Sequence, residues 1–161
     1  MEALGYKDDG TTGTSPTHNT LQLIAFSIGE QTYGVEITTV REIRAWNGAT
    51  PLPNTREFVR GVINLRGTIV PIFDLRARFG EGPTSPTKNH VVVVMSVGEK
   101  WVGILVDAVS DILTVSKDDI HNVPEGNSGD TELLNGIVTH ESRMVGLIDL
   151  HAVVSGAKLD G

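Results

Sequence analysis

No cysteine occurs among the 161 residues, which removes disulfides, thiolate catalysis and cysteine-ligated zinc together. Aromatic residues make up only 5%, so the core has to be assembled mainly from Val, Ile and Leu, which favour strands. Positive charge is in deficit: 13 Lys and Arg against 20 Asp and Glu leave a formal net charge of -7, the wrong sign for a surface that binds nucleic acid by displacing counterions. No apolar run approaches the roughly 18 residues of a membrane helix, since Val91 to Met95 soon meets Ser96 and Gly98. The N-terminus lacks a basic segment followed by an apolar one, so secretion is not expected. What is present, 39% hydrophobic content, is enough to fill a core in one domain or two small lobes. A β-rich, cytoplasmic protein is the simplest expectation.

Residues 1–20 are rich in Thr, Gly, Asp and Pro and hold almost nothing to bury, which predicts a disordered tail. Leu21–Ile28 and Gln31–Ile37 have strand composition around a turn at Gly29-Glu30, and Ile37, Val40, Arg41 and Ile43 suit one helical turn capped by Thr38. Gly48–Thr55 reads as a loop because Pro51 and Pro53 remove backbone donors. Two β-branched runs, Val62-Ile63 and Ile69-Val70, flank the turn Asn64-Leu65-Arg66-Gly67, a hairpin that hands over to a helical turn after Asp74. Gly80–Thr87 is the strongest punctuation and is taken as the boundary between lobes at about 21–80 and 88–154. A last helical turn follows Asp149, and 155–161 is a C-terminal tail.

The halves repeat. Displaced by 69 positions, Ser27, Gly29, Glu30, Gly34, Val40 and Ile43 meet Ser96, Gly98, Glu99, Gly103, Val109 and Ile112, and Glu42 meets Asp111. Displaced by 75, Gly61-Val62 meets Gly136-Ile137, and Val70–Leu75 meets Val145–Leu150. One order of elements is thus written twice, as duplication would write it. About five short strands per repeat would expose edges in a flat sheet, and closure into two small barrels packed side by side removes them.

Chemistry finds little to work with. The five His residues do not fall in a metal-binding spacing, so no metal and no cofactor is expected. Asp107 and Asp111, and the adjacent Asp118-Asp119, read better as caps or solvated acids than as an acid and base pair. There is no phosphate loop and no Gly-x-Ser-x-Gly elbow. Arg56, Arg60, Arg66, Arg76 and Arg78 form a basic stretch whose plain reading is solvation or pairing with nearby acids, except at Arg66, where no packing requirement demands Arg. Among Val92, Val93, Ile104, Val106, Val109 and Ile112, most are expected in the core.

Phe58–Arg76, with Tyr33–Ile43 and Trp101–Ile112, resembles the signature of the CheW family of bacterial chemotaxis coupling proteins, and the likeness spreads over residues 21–154. The resemblance implies a mainly β fold of two five-stranded barrels, with strands open to exchange between lobes. It implies a non-enzymatic adaptor that links the cytoplasmic tip of methyl-accepting chemoreceptors to the regulatory domain of the histidine kinase CheA. Such an adaptor is recruited to membrane-associated arrays without inserting in the membrane, and like-with-like barrel contacts would build rings. It places partner contacts at Val40, Glu42, Gly61 and Arg66. Glu42 and Arg66 are expected to approach each other, while Gly61 has a plain alternative in close backbone packing. The family's groove between the barrels is expected to use exposed members of the second-half apolar set, here Val93, Ile112 and above all Val109. An adaptor of a non-chemotaxis CheA-type pathway is the alternative, and a ligand- or nucleic-acid-binding barrel a more distant one. A fused receiver domain is not expected, as the sequence stops at Gly161.

Overall fold

The computed structural model describes residues 19–124 and 132–155; the tails expected at 1–20 and 155–161 lie almost wholly outside the described residues. In chain order the elements are β1 (Thr20–Ile28), β2 (Gln31–Glu36), β3 (Val40–Ala45), β4 (Val59–Leu65), β5 (Thr68–Asp74), α1 (Leu75–Arg78), β6 (Val91–Val97), β7 (Lys100–Val106), β8 (Ala108–Ser116), β9 (Leu134–His140), β10 (Arg143–Ile148) and α2 (Leu150–Val154). The repeated order read from the sequence is therefore present, with hairpins β1–β2 and β6–β7 as counterparts and β4–β5 and β9–β10 as counterparts.

Two five-stranded sheets form, ordered β8-β1-β2-β10-β9 and β3-β6-β7-β5-β4. Neither follows one half of the chain. The β1–β2 hairpin of the first half is inserted between β8 and β10 of the second, pairing antiparallel with β8 and parallel with β10. The β6–β7 hairpin sits likewise between β3 and β5 of the first half. The contiguous spans 21–80 and 88–154 thus each contribute strands to both lobes.

Reciprocal insertion explains why these strands lack strict alternation. In β1, Leu23 and Ala25 face a cluster with Leu113, Val115, Val138 and Val145 of their own sheet, while Ile24, Phe26 and Ile28 face a central cluster shared by both sheets. In β6, Val92 and Val94 join Leu65, Val70, Ile72 and Leu105, while Val93 and Met95 join the central cluster. A strand covered on both faces needs apolar residues at consecutive positions. The few aromatics are spent in the shared layer: Phe26, Tyr33, Phe58, Phe73 and Phe79 are all buried there, with Tyr33 stacked on Phe79 at 4.8 Å between ring centroids. Each ring buries more area than an aliphatic side chain, so few residues fill the layer shared by the sheets.

The sheets depart from closed barrels. Each ladder stays open between its end strands, and chain leaving the first end strand reaches across by one two-bond bridge: Thr50 to Val62 of β4 in one sheet, His121 to Ile137 of β9 in the other. A second departure concerns residues 37–43. The helical part is only the 3₁₀ turn Ile37–Thr39, without a side-chain cap, and Val40–Ala45 is strand, with Val40, Glu42 and Arg44 partly covered and Arg41, Ile43 and Ala45 exposed. Pairing with β6 from Val40↔Met95 to Ala45↔Val91 overrides the local helical spacing.

The Gly80–Thr87 stretch is more than a boundary. Thr84 is buried and donates its N–H to Asp74 Oδ2 at 2.8 Å and its hydroxyl to Asp74 Oδ1 at 2.6 Å. Asp74, fully buried, also accepts from Ala77 N–H and from Arg60 Nη1, both at 3.3 Å, and so caps α1 and pins the loop at once. Asp74→Ala would take the carboxylate from Arg60, which keeps the Thr84 carbonyl, and orphan two donors of Thr84. We expect a loss of about 3–5 kcal/mol in urea-unfolding free energy; a loss within ~1 kcal/mol would show that water satisfies these groups.

Candidate docking surface

Turn chemistry places the first component. Between β4 and β5, Arg66 (φ 51°) and Gly67 (φ 91°) make a two-residue reversal with both residues left-handed, and Asn64 Oδ1 accepts the Gly67 N–H at 2.7 Å. The tip projects Arg66 across the open side of its sheet toward end strand β3, where Arg66 Nη2 meets Glu42 Oε1 at 2.9 Å. Arg44 Nη1 lies 3.5 Å from the other Glu42 oxygen. The expected approach of Glu42 and Arg66 is present, on a strand rather than a helical turn. With the Arg66 side chain 68% exposed and Glu42 24% exposed, water screens the pair, which adds only about 0.2–1 kcal/mol to stability. Its stronger effect is positional: it holds a guanidinium at a rim where a partner can reach it.

The other sheet carries a counterpart. Asp111, which corresponds to Glu42, lies on end strand β8 and meets Arg143 Nη2 of β10 at 3.3 Å. Exposed aliphatics flank both pairs at corresponding positions: Ile43 and Ile69 in one sheet, Ile112 and Met144 in the other, all at least 42% exposed. Ile43, Ile69, Met144 and Arg143 were not picked out by the sequence reading. The displacement of 69 relates Ile43 to Ile112 and that of 75 relates Ile69 to Met144, but Arg143 has Thr68 rather than Arg66 as its counterpart, so self-comparison marks the aliphatics and not the second Arg.

The remaining predicted residues divide. Val40 and Val109 are partly exposed and pack onto the central cluster from the start of β3 and of β8. Ile112 is 55% exposed. Val93 does not belong to any surface: it is fully buried on β6 between β3 and β7, and the expectation of a partner contact there is corrected. Gly61 is buried as well, at φ 139°, and a Cβ at that position would collide with the Thr50 carbonyl. Its role is close packing under the Thr50–Val62 bridge, the plain alternative.

The other Arg residues are mostly structural. Arg60 serves Asp74 and the Thr84 carbonyl. Arg78 donates to the carbonyls of Ala152 and Val153 at the end of α2 and lies 4.8 Å over the Phe58 ring. Asp107 accepts the Gly29 N–H at 2.7 Å and faces His90 Nε2 at 3.4 Å, while Asp118 accepts from Asn19. These acids hold turns and strand junctions. Among the described residues no group of three metal-ligating side chains converges, and no helix is long and apolar enough to cross a membrane.

Comparison with known proteins agrees with this geometry. A family model described as the CheW-like domain matches residues 22–158. A "Probable chemotaxis protein CheW" of Rhizobium etli is 49% identical over 135 residues, covering 83% of this chain and 87% of that protein. The "Chemotaxis protein CheW" of Rhizobium meliloti is 46% identical over 138 residues, covering 85% and 89%. The crystal structure of the scaffolding protein TtCheW from Thermoanaerobacter tengcongensis superposes with a TM-score of 0.78 at 31% identity, covering 91% of this chain and 93% of that one.

Two measurements on the isolated chain separate structural from surface roles. Gly61→Ala forces a side chain into backbone at a φ that L-residues avoid, and is expected to cost more than about 3 kcal/mol in chemical denaturation. A double-mutant cycle of Glu42→Ala and Arg66→Ala is expected to give a favourable coupling below about 1 kcal/mol; zero coupling would mean that the pair does not persist in solution.

Proposed function

We propose that this chain, which belongs to the CheW-like family, is a chemotaxis coupling adaptor that performs no chemistry and holds two different proteins on separate faces. The observation that carries this reading is the pair of rims, Glu42–Arg66 with Ile43 and Ile69, and Asp111–Arg143 with Ile112 and Met144. Each combines exposed aliphatic area with a fixed Arg, the composition of an interface rather than of a solvated face.

In this reading the regulatory domain of CheA docks on the Glu42–Arg66 rim. The tip of a methyl-accepting chemoreceptor lies along the apolar residues Val40 of β3 and Val109 and Ile112 of β8. Micromolar contacts, about -8 kcal/mol each, are sufficient when several form together, because an assembled array turns later contacts into local ones. Partners that meet both lobes would close into rings by heterologous contact. Signalling is then a shift of kinase population, which requires the adaptor to bind the two kinase states unequally. The adaptor works in the cytoplasm at receptor arrays.

Calorimetric titration of the full chain with a receptor signalling fragment and with the CheA regulatory domain tests the assignment. Arg66→Ala is expected to weaken the kinase domain on the order of tenfold and to spare the receptor fragment; Ile112→Asp is expected to do the reverse. Competition of the two ligands for the free protein, or equal loss of both with either substitution, would defeat the two-face reading.

A further inference from the structure

Equivalent acids stand at equivalent places in the two halves, and only one of them is paired with a cation. A displacement of 75 relates the strand registers as well as the residues: Gly61 faces Ile72 as Gly136 faces Leu147, and Val59 faces Phe73 as Leu134 faces Ile148. Arg60 and Asn135 are therefore counterparts, each the residue that an irregularity leaves without an opposite number in the ladder. Asp74 and Asp149 are counterparts too. Each caps the helix after it with Oδ1, accepting Ala77 N–H at 3.3 Å or Ala152 N–H at 3.2 Å. That leaves Oδ2 for other donors. In the first half Asp74 Oδ2 takes Arg60 Nη1 at 3.3 Å and Thr84 N–H at 2.8 Å.

The second half supplies neither. Asn135, in the place of Arg60, is exposed, and among the described residues the Ala152 N–H is the one donor to the Asp149 carboxylate. Beside this half-buried acid lies a groove of about 490 Å³ lined in part by Leu21, Leu23, Leu147 and Leu150, with Glu36 as a second acid. Glu36 is exposed and its side chain does not cap the 3₁₀ turn that follows it. The described residues that line the groove include no Lys or Arg, and none of those placed above on the docking rims.

Charge and shape together select the occupant. Two carboxylates with no cation beside them repel an anion, and a purely apolar occupant would strip water from Asp149 and return no hydrogen bond. A bare inorganic cation would leave the leucines uncovered. The first half shows which group meets such a carboxylate in this fold, namely a guanidinium. We propose that the groove is a third docking site, which takes a segment of a partner protein carrying an arginine among aliphatic residues. The guanidinium pairs with Asp149 Oδ2, and the aliphatic side chains lie on Leu21, Leu147 and Leu150. Arginine suits the place better than lysine, since its planar fork matches a carboxylate and its stem covers apolar surface. Glu36 adds attraction that salt screens. The cation that the chain itself supplies in one half is thus supplied by the partner in the other. As the groove shares no residue with either rim, a protein held there leaves both rims open.

Titration of the ¹⁵N-labelled full chain with the peptide acetyl-Leu-Arg-Leu-amide, followed by the amide NMR signals, tests the site. Saturable shifts are expected at Asn135 and Asp149–His151 and not at Ile43 or Ile112. The same peptide with citrulline for arginine, which keeps the shape and removes the charge, is expected to bind on the order of tenfold more weakly. Asp149→Asn removes the charge and keeps an acceptor for the Ala152 N–H, so the helix cap survives. In that variant the two peptides are expected to bind alike, with the urea-unfolding midpoint close to that of the native chain. Equal binding of both peptides by the native chain, shifts centred on the rims, absence of saturable shifts, or an undiminished preference for arginine in Asp149→Asn would each overturn the proposal.

Discussion

Burial of the β1–β2 and β6–β7 hairpins on both faces is the constraint from which the architecture follows. In the structure each hairpin takes one cover from the other half: Leu113, Val115, Val138 and Val145 for β1, and Leu65, Val70 and Ile72 for β6. Apolar area left in water instead would cost roughly 25 cal/mol for every Å². Inserting each hairpin into the other half's sheet gives it strand neighbours on both edges, its own sheet's cluster on one face and the shared cluster on the other. The central layer of Phe26, Tyr33, Phe58, Phe73 and Phe79 therefore belongs to both lobes, and one lobe cannot unfold without exposing the other.

The same arrangement decides where binding surfaces can exist. Since the inserted hairpins occupy the middle of each sheet, the end strands β3, β4, β8 and β9 are left with open ladders. An unpaired strand edge invites association with other chains. Here the edges are partly closed by single bridges at Thr50 and His121 and crossed by ion pairs between an end-strand acid and a hairpin Arg. A screened ion pair adds little to stability, but it fixes charge and shape at an edge that would otherwise be sticky without being selective. Recognition and protection against aggregation thus use the same side chains, and duplication supplies each device twice.

Features confined to a few neighbouring residues were legible. The Arg66-Gly67 reversal, the helical turns after Asp74 and Asp149 and the repeated order of strands all follow from turn chemistry, capping and self-comparison. The pairing of Glu42 with Arg66 was reached through the family resemblance. Val93 shows where reading failed: an apolar residue in a run of apolar residues carries no local mark of which side will be covered. Residues 40–43 failed for a related reason, since β3 is strand only because β6 lies beside it.

The sequence by itself determined the duplication, the strand-rich composition and the positions of turns and caps, because each depends on conformational preferences acting over a few residues. Only the tertiary structure decided that hairpins are exchanged, that Val93 and Gly61 are buried while Ile43 and Ile112 stay exposed, and that Asp74 holds a loop while Asp149 lines a groove. The physical reason is that burial of a strand covered on both faces is settled by neighbours far off in the chain, such as Ser116 beside Thr20 and Val145 beside Thr32, and local periodicity carries no record of them.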